Sequence, residues 1–337
     1  MSGGPLTAVA WTRFQPRTVA LAAALGGRAR FVDDGFTGTH FAARPLSYLI
    51  KSVRTWRILS GDDPSTVLVI TPPVFAPLIA WLWCAVHRRQ LAVDCHTGAF
   101  HSNRWAWARP LHRLLLPHAR AVLLHTAELE DLVKGWGAKT ILVPDDVPDV
   151  SEASPLAKHE GATVLVAGSL DRNEPVAESI EAARLLPDVE FRFTGDAQTL
   201  PAGVREAAPA NVVFTGYLAY PIFLGELVAA DVVAVFSTDP RIMNRAAFET
   251  VGLGRPLVLS DLPGLRARFD GGALFCANQP AAMAGAVAEA MRRKDELAAL
   301  SVGLQGRLRS QRARAVADLD AILKGEEGPV WRQRSAS

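Results

Sequence analysis

Cysteine is scarce in this 337-residue chain, which has only Cys84, Cys95 and Cys276. None stands in a C-x-x-C pair and the number is odd, so neither a disulfide framework nor a thiolate zinc site is expected, and a reducing, cytoplasmic setting is. Long apolar runs are also missing. No stretch reaches the roughly 18 uninterrupted apolar residues of a spanning helix, and the opening MSGGPLTAVAWTRFQPR has no basic segment leading into an apolar one. A secreted or membrane-spanning chain is therefore not expected. Net charge is close to nil, at +2, and no nucleic-acid recognition motif interleaves with the basic residues, so no nucleic-acid partner is expected. Metal-ligand spacing is lacking as well. Among eight histidines, His96 and His101 are not one helical turn apart, and His112, His118 and His125 fall on unlike elements, so no metal site is expected.

What is present is apolar bulk: 49% of residues are hydrophobic and 21% charged, enough for two cores, and the length favours two domains. Charge is uneven between them. Residues 1–150 carry 16 Lys and Arg against 11 Asp and Glu, a net of +5, and the remainder carries 20 against 23, a net of −3. Five of the eight tryptophans, Trp56, Trp81, Trp83, Trp105 and Trp107, lie in the most basic stretch, 40–125.

Short β-branched runs alternate with amphipathic stretches, the pattern of parallel sheets covered by helices. TAVAW (7–11), ARFVDD (29–34), TVLVIT (66–71), QLAVDC (90–95), AVLLHT (121–126) and TILVPD (140–145) read as strands of a first sheet. After a polar linker at 147–161, ATVLVAGS (162–169), VEFRFTG (189–195), NVVFTG (211–216), DVVAVFS (231–237) and RPLVLSD (255–261) read as strands of a second. Helices are expected over 43–59, 174–186, 220–230, 244–253 and 280–300. The fold class is α/β, with two Rossmann-like, doubly wound parallel-sheet domains at 1–150 and 151–337 facing an interdomain cleft. Ligands bind beyond the carboxyl ends of such strands, which selects Thr12 and Arg13, Asp94 to Gly98, Gly168 to Glu174, Gly195, Thr215 to Tyr217, and Thr238 to Glu249.

At this point the chain resembles a known family. AAFETVGLGRPLVLSDLPGLR is similar to the E-A-x-A-x-G-x-P-V-V-A-S-D-x-G-G segment of GT-B glycosyltransferases, in the glycosyltransferase family 4-like superfamily, and the likeness extends over most of residues 5–325. The resemblance implies an N-terminal acceptor-binding domain, a C-terminal nucleotide-sugar-binding domain, and Glu249 as the ligand of the ribose hydroxyls. Chemistry agrees, since a carboxylate in the first turns of a helix can accept two hydrogen bonds from a vicinal diol. The chain also departs from the retaining members. Arg241 stands where they carry the first glutamate of an E-x7-E pair, and GSLDRNEP replaces their G-R-x-x-x-x-K-G. TPPVFAPLIAWLWCAVHRRQLAVDCHTGAF (71–100) resembles the layout of inverting β-1,4-mannosyltransferases that extend lipid-diphosphate-linked chitobiose, with DCHTG in place of D-W-H-N.

An inverting transfer needs a base for the acceptor hydroxyl. Asp94, at a strand end, is the first choice and His96 the alternative. Arg172, Arg241 and Arg245 are the diphosphate candidates. Gly168, Ser169, Thr215, Gly216 and Tyr217 complete the expected donor site. The reading is a metal-independent glycosyltransferase with a nucleotide-diphosphate sugar as donor and a glycan or lipid-linked glycan as acceptor. Alternatives are a nucleotide-sugar 2-epimerase and a non-catalytic pseudo-glycosyltransferase subunit. Peripheral contact with an anionic membrane is expected through ARPLSYLIKSVRTWRIL (43–59), where Leu46, Leu49, Ile50, Val53 and Trp56 recur at helical spacing beside Lys51, Arg54 and Arg57.

Overall fold

The computed structural model of the protein describes residues 4–35, 44–101, 104–148 and 158–326, with 150, 153 and 156 between them. The chain divides into two units, Met1–Asp145 with Ser310–Ser337, and Asp146–Arg309.

The first unit holds six parallel strands: β1 (Thr7–Ala10), β2 (Arg28–Phe31), β3 (Thr66–Thr71), β4 (Gln90–Cys95), β5 (Ala121–Leu124) and β6 (Thr140–Leu142). Their order is β2-β1-β3-β4-β5-β6. Helices α1 (Pro16–Ala24), α2 (Arg44–Asp62), α3 (Phe75–His87), α4 (Gly98–His101), α5 (Arg109–Leu115) and α6 (Ala127–Lys134) connect them. Strands covered on both faces read as unbroken apolar runs, and the period of two assigns each residue to a face. Val9, Val67, Val69, Val93 and Val122 pack against Leu59 of α2, Trp83 of α3, Leu115 of α5 and Leu129 of α6. Ala8, Leu68, Ala92 and Leu123, one step out of phase, meet Leu21 and Ala22 of α1 on the opposite face.

The second unit holds β7 (Ala162–Val166), β8 (Val189–Thr194), β9 (Val212–Gly216), β10 (Val232–Val235), β11 (Leu257–Ser260) and β12 (Leu274–Cys276), with α7 (Val176–Arg184), α8 (Tyr220–Ala229), α9 (Arg245–Gly252), α10 (Pro263–Phe269), α11 (Pro280–Arg292) and α12 (Lys294–Lys324). The parallel order β12-β11-β10-β7-β8-β9 is that of a doubly wound dinucleotide fold, reversing direction between β7 and β10. Val164, Phe191, Phe193 and Ala234 face α7 and α11, while Leu165, Val233, Val235 and Leu257 face α8, α9 and α10.

Each strand expected from the sequence is present. Two elements beyond them, β12 and α10, were not expected, and the helix expected over 280–300 is two helices parted at Arg293. The unit boundary also differs from a single cut near 150. Leu319, Ile322 and Leu323 of α12 pack into the apolar layer over Ala8, Leu68 and Leu123, so the chain's last described helix ends in the first unit. The expected linker is partly structural, because Val147 and Val150 are buried in the second unit's core.

Candidate functional site

The second unit opens a cavity of about 450 Å³ beyond the carboxyl ends of its strands, within the range of small-molecule sites. Gly168, Ser169 and Glu174 line it after β7, Thr194 and Gly195 after β8, Tyr217 to Tyr220 after β9, and Asn244, Arg245 and Glu249 from the segment after β10. A sheet that reverses direction between β7 and β10 leaves this crevice because successive connections leave to opposite sides.

Glu249 is buried, and Arg245 Nε donates to its Oε1 at 3.0 Å across one helical turn. Burial raises its carboxyl above the ordinary value, and the Arg245 charge and the Tyr220 hydroxyl, which hydrogen-bonds to it, work the other way. Arg245 thus braces one carboxylate oxygen at the cavity.

On the opposite wall the backbone N–H groups of Ser169 and Leu170 donate to Glu174 Oε1 and Oε2, each at 3.0 Å. Leu170 sits at φ 61, so the two N–H groups converge into a nest of the kind that holds an anion. The glycine before them is required by contact: a Cβ on Gly168 would fall 2.2 Å from Glu174 Oε2. Glu174, at the end of the Gly168 to Glu174 stretch selected from the sequence, fills this seat, and burial raises its carboxyl above the ordinary value. The lining holds two carboxylates and one arginine.

Of the expected donor residues, Gly168, Ser169, Tyr217, Arg245 and Glu249 line the cavity. Four do not. Arg241 is paired through both nitrogens of its fork with Asp239, Arg172 is exposed on the loop after β7, Thr215 Oγ1 donates to the Phe193 carbonyl, and Gly216 supplies a turn at φ 74. Gly195, selected from the sequence as a strand-end candidate, lines the cavity too, whereas Thr194 at the end of β8 and Tyr220 at the start of α8 were missed, because they reach it from elements distant in sequence.

The first unit carries a separate polar cluster at the carboxyl ends of β4, β5 and β6. Asp94 is completely buried, and Arg17 holds it through Nε to Oδ2 at 2.9 Å and Nη2 to Oδ1 at 3.2 Å. The other donors of Arg17 go to Asp145 Oδ1 and to the carbonyls of Val143 and Pro144. Burial alone would raise the Asp94 carboxyl, but Arg17, His96 and His125 outweigh it and hold it at about 2. Asp94, the first choice as base, has no exposed surface in this structure, and its ion pair with Arg17 favours its charged form.

His96 is only partly buried. Burial pushes its imidazole down to about 4, against the pull of Asp94, so near neutrality it is uncharged with a lone pair. The Gln15 side-chain nitrogen lies 3.0 Å from Nε2. The His125 ring lies tilted against it, 4.7 Å away between ring centroids, and its Nδ1 is bonded to Asp145. His125 Nε2 is buried with no hydrogen-bond partner, an orientation by carboxylate that suits a proton acceptor. Adjacent parallel strands bring His96 and His125 together, which sequence spacing could not show. Ligand atoms of Asp94, His96 and His125 lie within 4.8 Å of one another, so the spacing argument against a metal does not hold here. What opposes a cation is Arg17, whose guanidinium occupies both Asp94 oxygens.

Residues 161–293 match the family described as glycosyl transferases group 1. Among solved structures, the chain is similar to sucrose-phosphate synthase of Thermosynechococcus elongatus, at 15% identity and TM-score 0.68 over 98% of this chain and 99% of that one. It is also similar to Anabaena HepE in complex with UDP-glucose, at 15% identity and TM-score 0.68 over 95% and 99%. A glycosyltransferase of Rickettsia africae aligns at 12% identity and TM-score 0.67 over 96% of both chains. No curated protein matches the chain in sequence. The structural likeness establishes the two-sheet GT-B fold, and the match to the glycosyl transferases group 1 family falls on the second sheet and its cavity.

Proposed function

We propose that the protein transfers a sugar from a nucleoside-diphosphate sugar to a glycan or lipid-linked glycan, with inversion at the anomeric carbon and without a metal. The observation that carries the donor assignment is the buried Glu249, braced by Arg245 and Tyr220 at the rim of a cavity over the reversal point of the second sheet. Arg245 and Tyr220 orient this carboxylate at the cavity, where it suits a vicinal diol such as a ribose. Solved relatives of the fold bind such donors, HepE with UDP-glucose and with UDP among them.

In the transfer, the acceptor oxygen attacks the anomeric carbon as the bond to the diphosphate oxygen breaks, and the acceptor proton passes to a base. His96 Nε2 is that base in our reading: it is uncharged near neutrality, partly exposed, and set beside the Asp145-oriented His125. Asp94 and Arg17 act behind it as a fixed ion pair.

The test is thermal stability with UDP, GDP, dTDP and CMP, followed by product NMR. One nucleotide should raise the melting temperature of the wild type, since a ligand at a hundred times its Kd adds about 2.7 kcal/mol. Glu249→Ala should weaken that nucleotide by roughly 1.5–3 kcal/mol, the range for charge-assisted hydrogen bonds. Stabilisation by no nucleotide, or an unchanged affinity in Glu249→Ala, would remove the donor assignment. A β-linked product from an α-linked donor is expected, and an α-linked one would overturn inversion. Conversion of donor without acceptor would indicate the epimerase instead, and nucleotide binding without turnover the non-catalytic subunit.

A further inference from the structure

A surface helix ordinarily turns its charged side outward, yet α3, FAPLIAWLWCAVH, has no charged residue before His87. Its inner side is used up in the core, with Ala76, Ala80, Trp83 and Cys84 buried. Its outer side is apolar as well, and Val86 is 68% exposed. Beside it, α5 buries His112 and Leu115 and turns Leu111 and Leu114 outward, Leu114 at 70% exposure. Between the two helices runs an apolar groove of about 120 Å³, floored by Val74, Leu78 and Trp81. Trp107, whose ring lies 6.0 Å from that of Phe75, extends the face and is also exposed. Contiguous apolar surface of this kind marks a contact site.

The surrounding charge identifies the partner. Arg88, Arg104, Arg109 and Arg113 are exposed around the face. Between Asp63 and Glu128 the chain contains one acidic residue, Asp94, and that one is completely buried. The face therefore presents apolar side chains, interfacial tryptophan and exposed arginine, the combination that suits an anionic bilayer surface. A helix of thirteen residues is about 20 Å long, short of the roughly 30 Å hydrocarbon core, and no described helix is long and apolar enough to cross a membrane. The geometry is that of a helix lying in the interface.

We propose that the outer face of α3 and α5 docks the protein on anionic lipid, with the α3–α5 groove as its apolar contact. Helix α2, the segment expected to make this contact, adds an exposed stripe of Leu46, Leu49 and Val53 beside α3 and so belongs to the margin of the same layer. The inference does not depend on the donor assignment, because lipid binding is read without nucleotide.

The test is co-sedimentation of the full chain with phosphatidylcholine vesicles, with and without added phosphatidylglycerol, across a salt series. Binding should require phosphatidylglycerol and weaken with salt. Leu114→Glu and Val86→Glu should each reduce it at least tenfold, and Arg113→Glu should do so with a shallower salt dependence. Leu300→Glu, an exposed site in the second unit, should bind as the wild type does. Unchanged melting temperatures show that the variants are folded. Failure of the wild type to bind phosphatidylglycerol vesicles, or undiminished binding by Leu114→Glu and Val86→Glu, overturns the proposal. So does a stable dimer that Leu114→Glu dissociates, since a second copy would then cover the face.

Discussion

Glu174 shows how one carboxylate can occupy the place of a ligand. Its two oxygens take the N–H groups of Ser169 and Leu170, the donors a phosphate would use in a nest, in a cavity whose only cation among the described residues, Arg245, is paired with Glu249. A donor diphosphate that reaches this seat must displace Glu174 or be repelled by it. Glu174→Gln, which removes the charge and keeps the size, should therefore bind nucleoside diphosphate more tightly than the wild type by about tenfold or more, roughly 1.4 kcal/mol. The wild type should gain affinity as pH falls toward the raised pKa of this carboxyl. Calorimetry measures both, and an equal or weaker affinity in Glu174→Gln would mean that the diphosphate sits elsewhere. At this scale the sequence was informative where a function needs only local context. Glu249, Gly168 and Ser169 were readable from one helix and one strand end. Glu174 was not, since a carboxylate eight residues past β7 looks the same whether it serves a helix or fills a nest.

The elements were legible because burial on both faces leaves a signal in each strand: TVLVIT and QLAVDC match β3 and β4 residue for residue. Signal failed where elements are short. Strand β12 has three residues, and α10 has seven beginning with Pro263 and Gly264, too few for a period to emerge. It failed again where two elements share a residue's environment. Asp94 ends β4 as expected, but the partner that decides its chemistry, Arg17, comes from α1, 77 residues away. Removing that charge should be costly. Asp94→Asn leaves a buried arginine with only one of its two carboxylates, Asp145, and loss of one partner of a buried pair typically destabilises by up to about 3–5 kcal/mol. His96→Ala should instead leave the melting temperature nearly unchanged and lower turnover by roughly 10²–10⁴, the worth of a positioned base. Stability and rate measured together on both variants separate the roles. A stable, slow Asp94→Asn beside an active His96→Ala would return the base to Asp94.

Across the whole molecule the buried histidines of the first unit and the two cavity carboxylates of the second titrate in opposite directions. In the first unit, burial pushes His112 down to about 4; Thr71 Oγ1 donates to its Nε2, and its Nδ1–H donates to the Ala108 carbonyl. His96 is lowered to the same value. An unfolded histidine takes up a proton near 6.5, so the stability these groups contribute is complete above that pH and is lost as pH falls toward 4. For His112, completely buried, the loss amounts to about 3 kcal/mol. Asp94, held at about 2, extends the decline below the ordinary carboxylate value. In the second unit, Glu174 and Glu249 are raised, so their contribution is greatest below the unfolded pKa and diminishes as pH rises through the folded one. Mild acid should therefore weaken the first unit and spare the second. Tryptophan reports this selectively, since each described tryptophan, from Trp11 to Trp136, belongs to the first unit. Urea unfolding followed by tryptophan fluorescence should show a midpoint that falls between pH 7 and pH 5, while nucleotide-induced protection of the second unit persists. His112→Gln, able to donate and accept at the same place, should flatten that dependence. A fluorescence midpoint constant across the interval would mean that both histidines are protonated in the folded state, and with it His96 would lose the uncharged form on which its role as base depends.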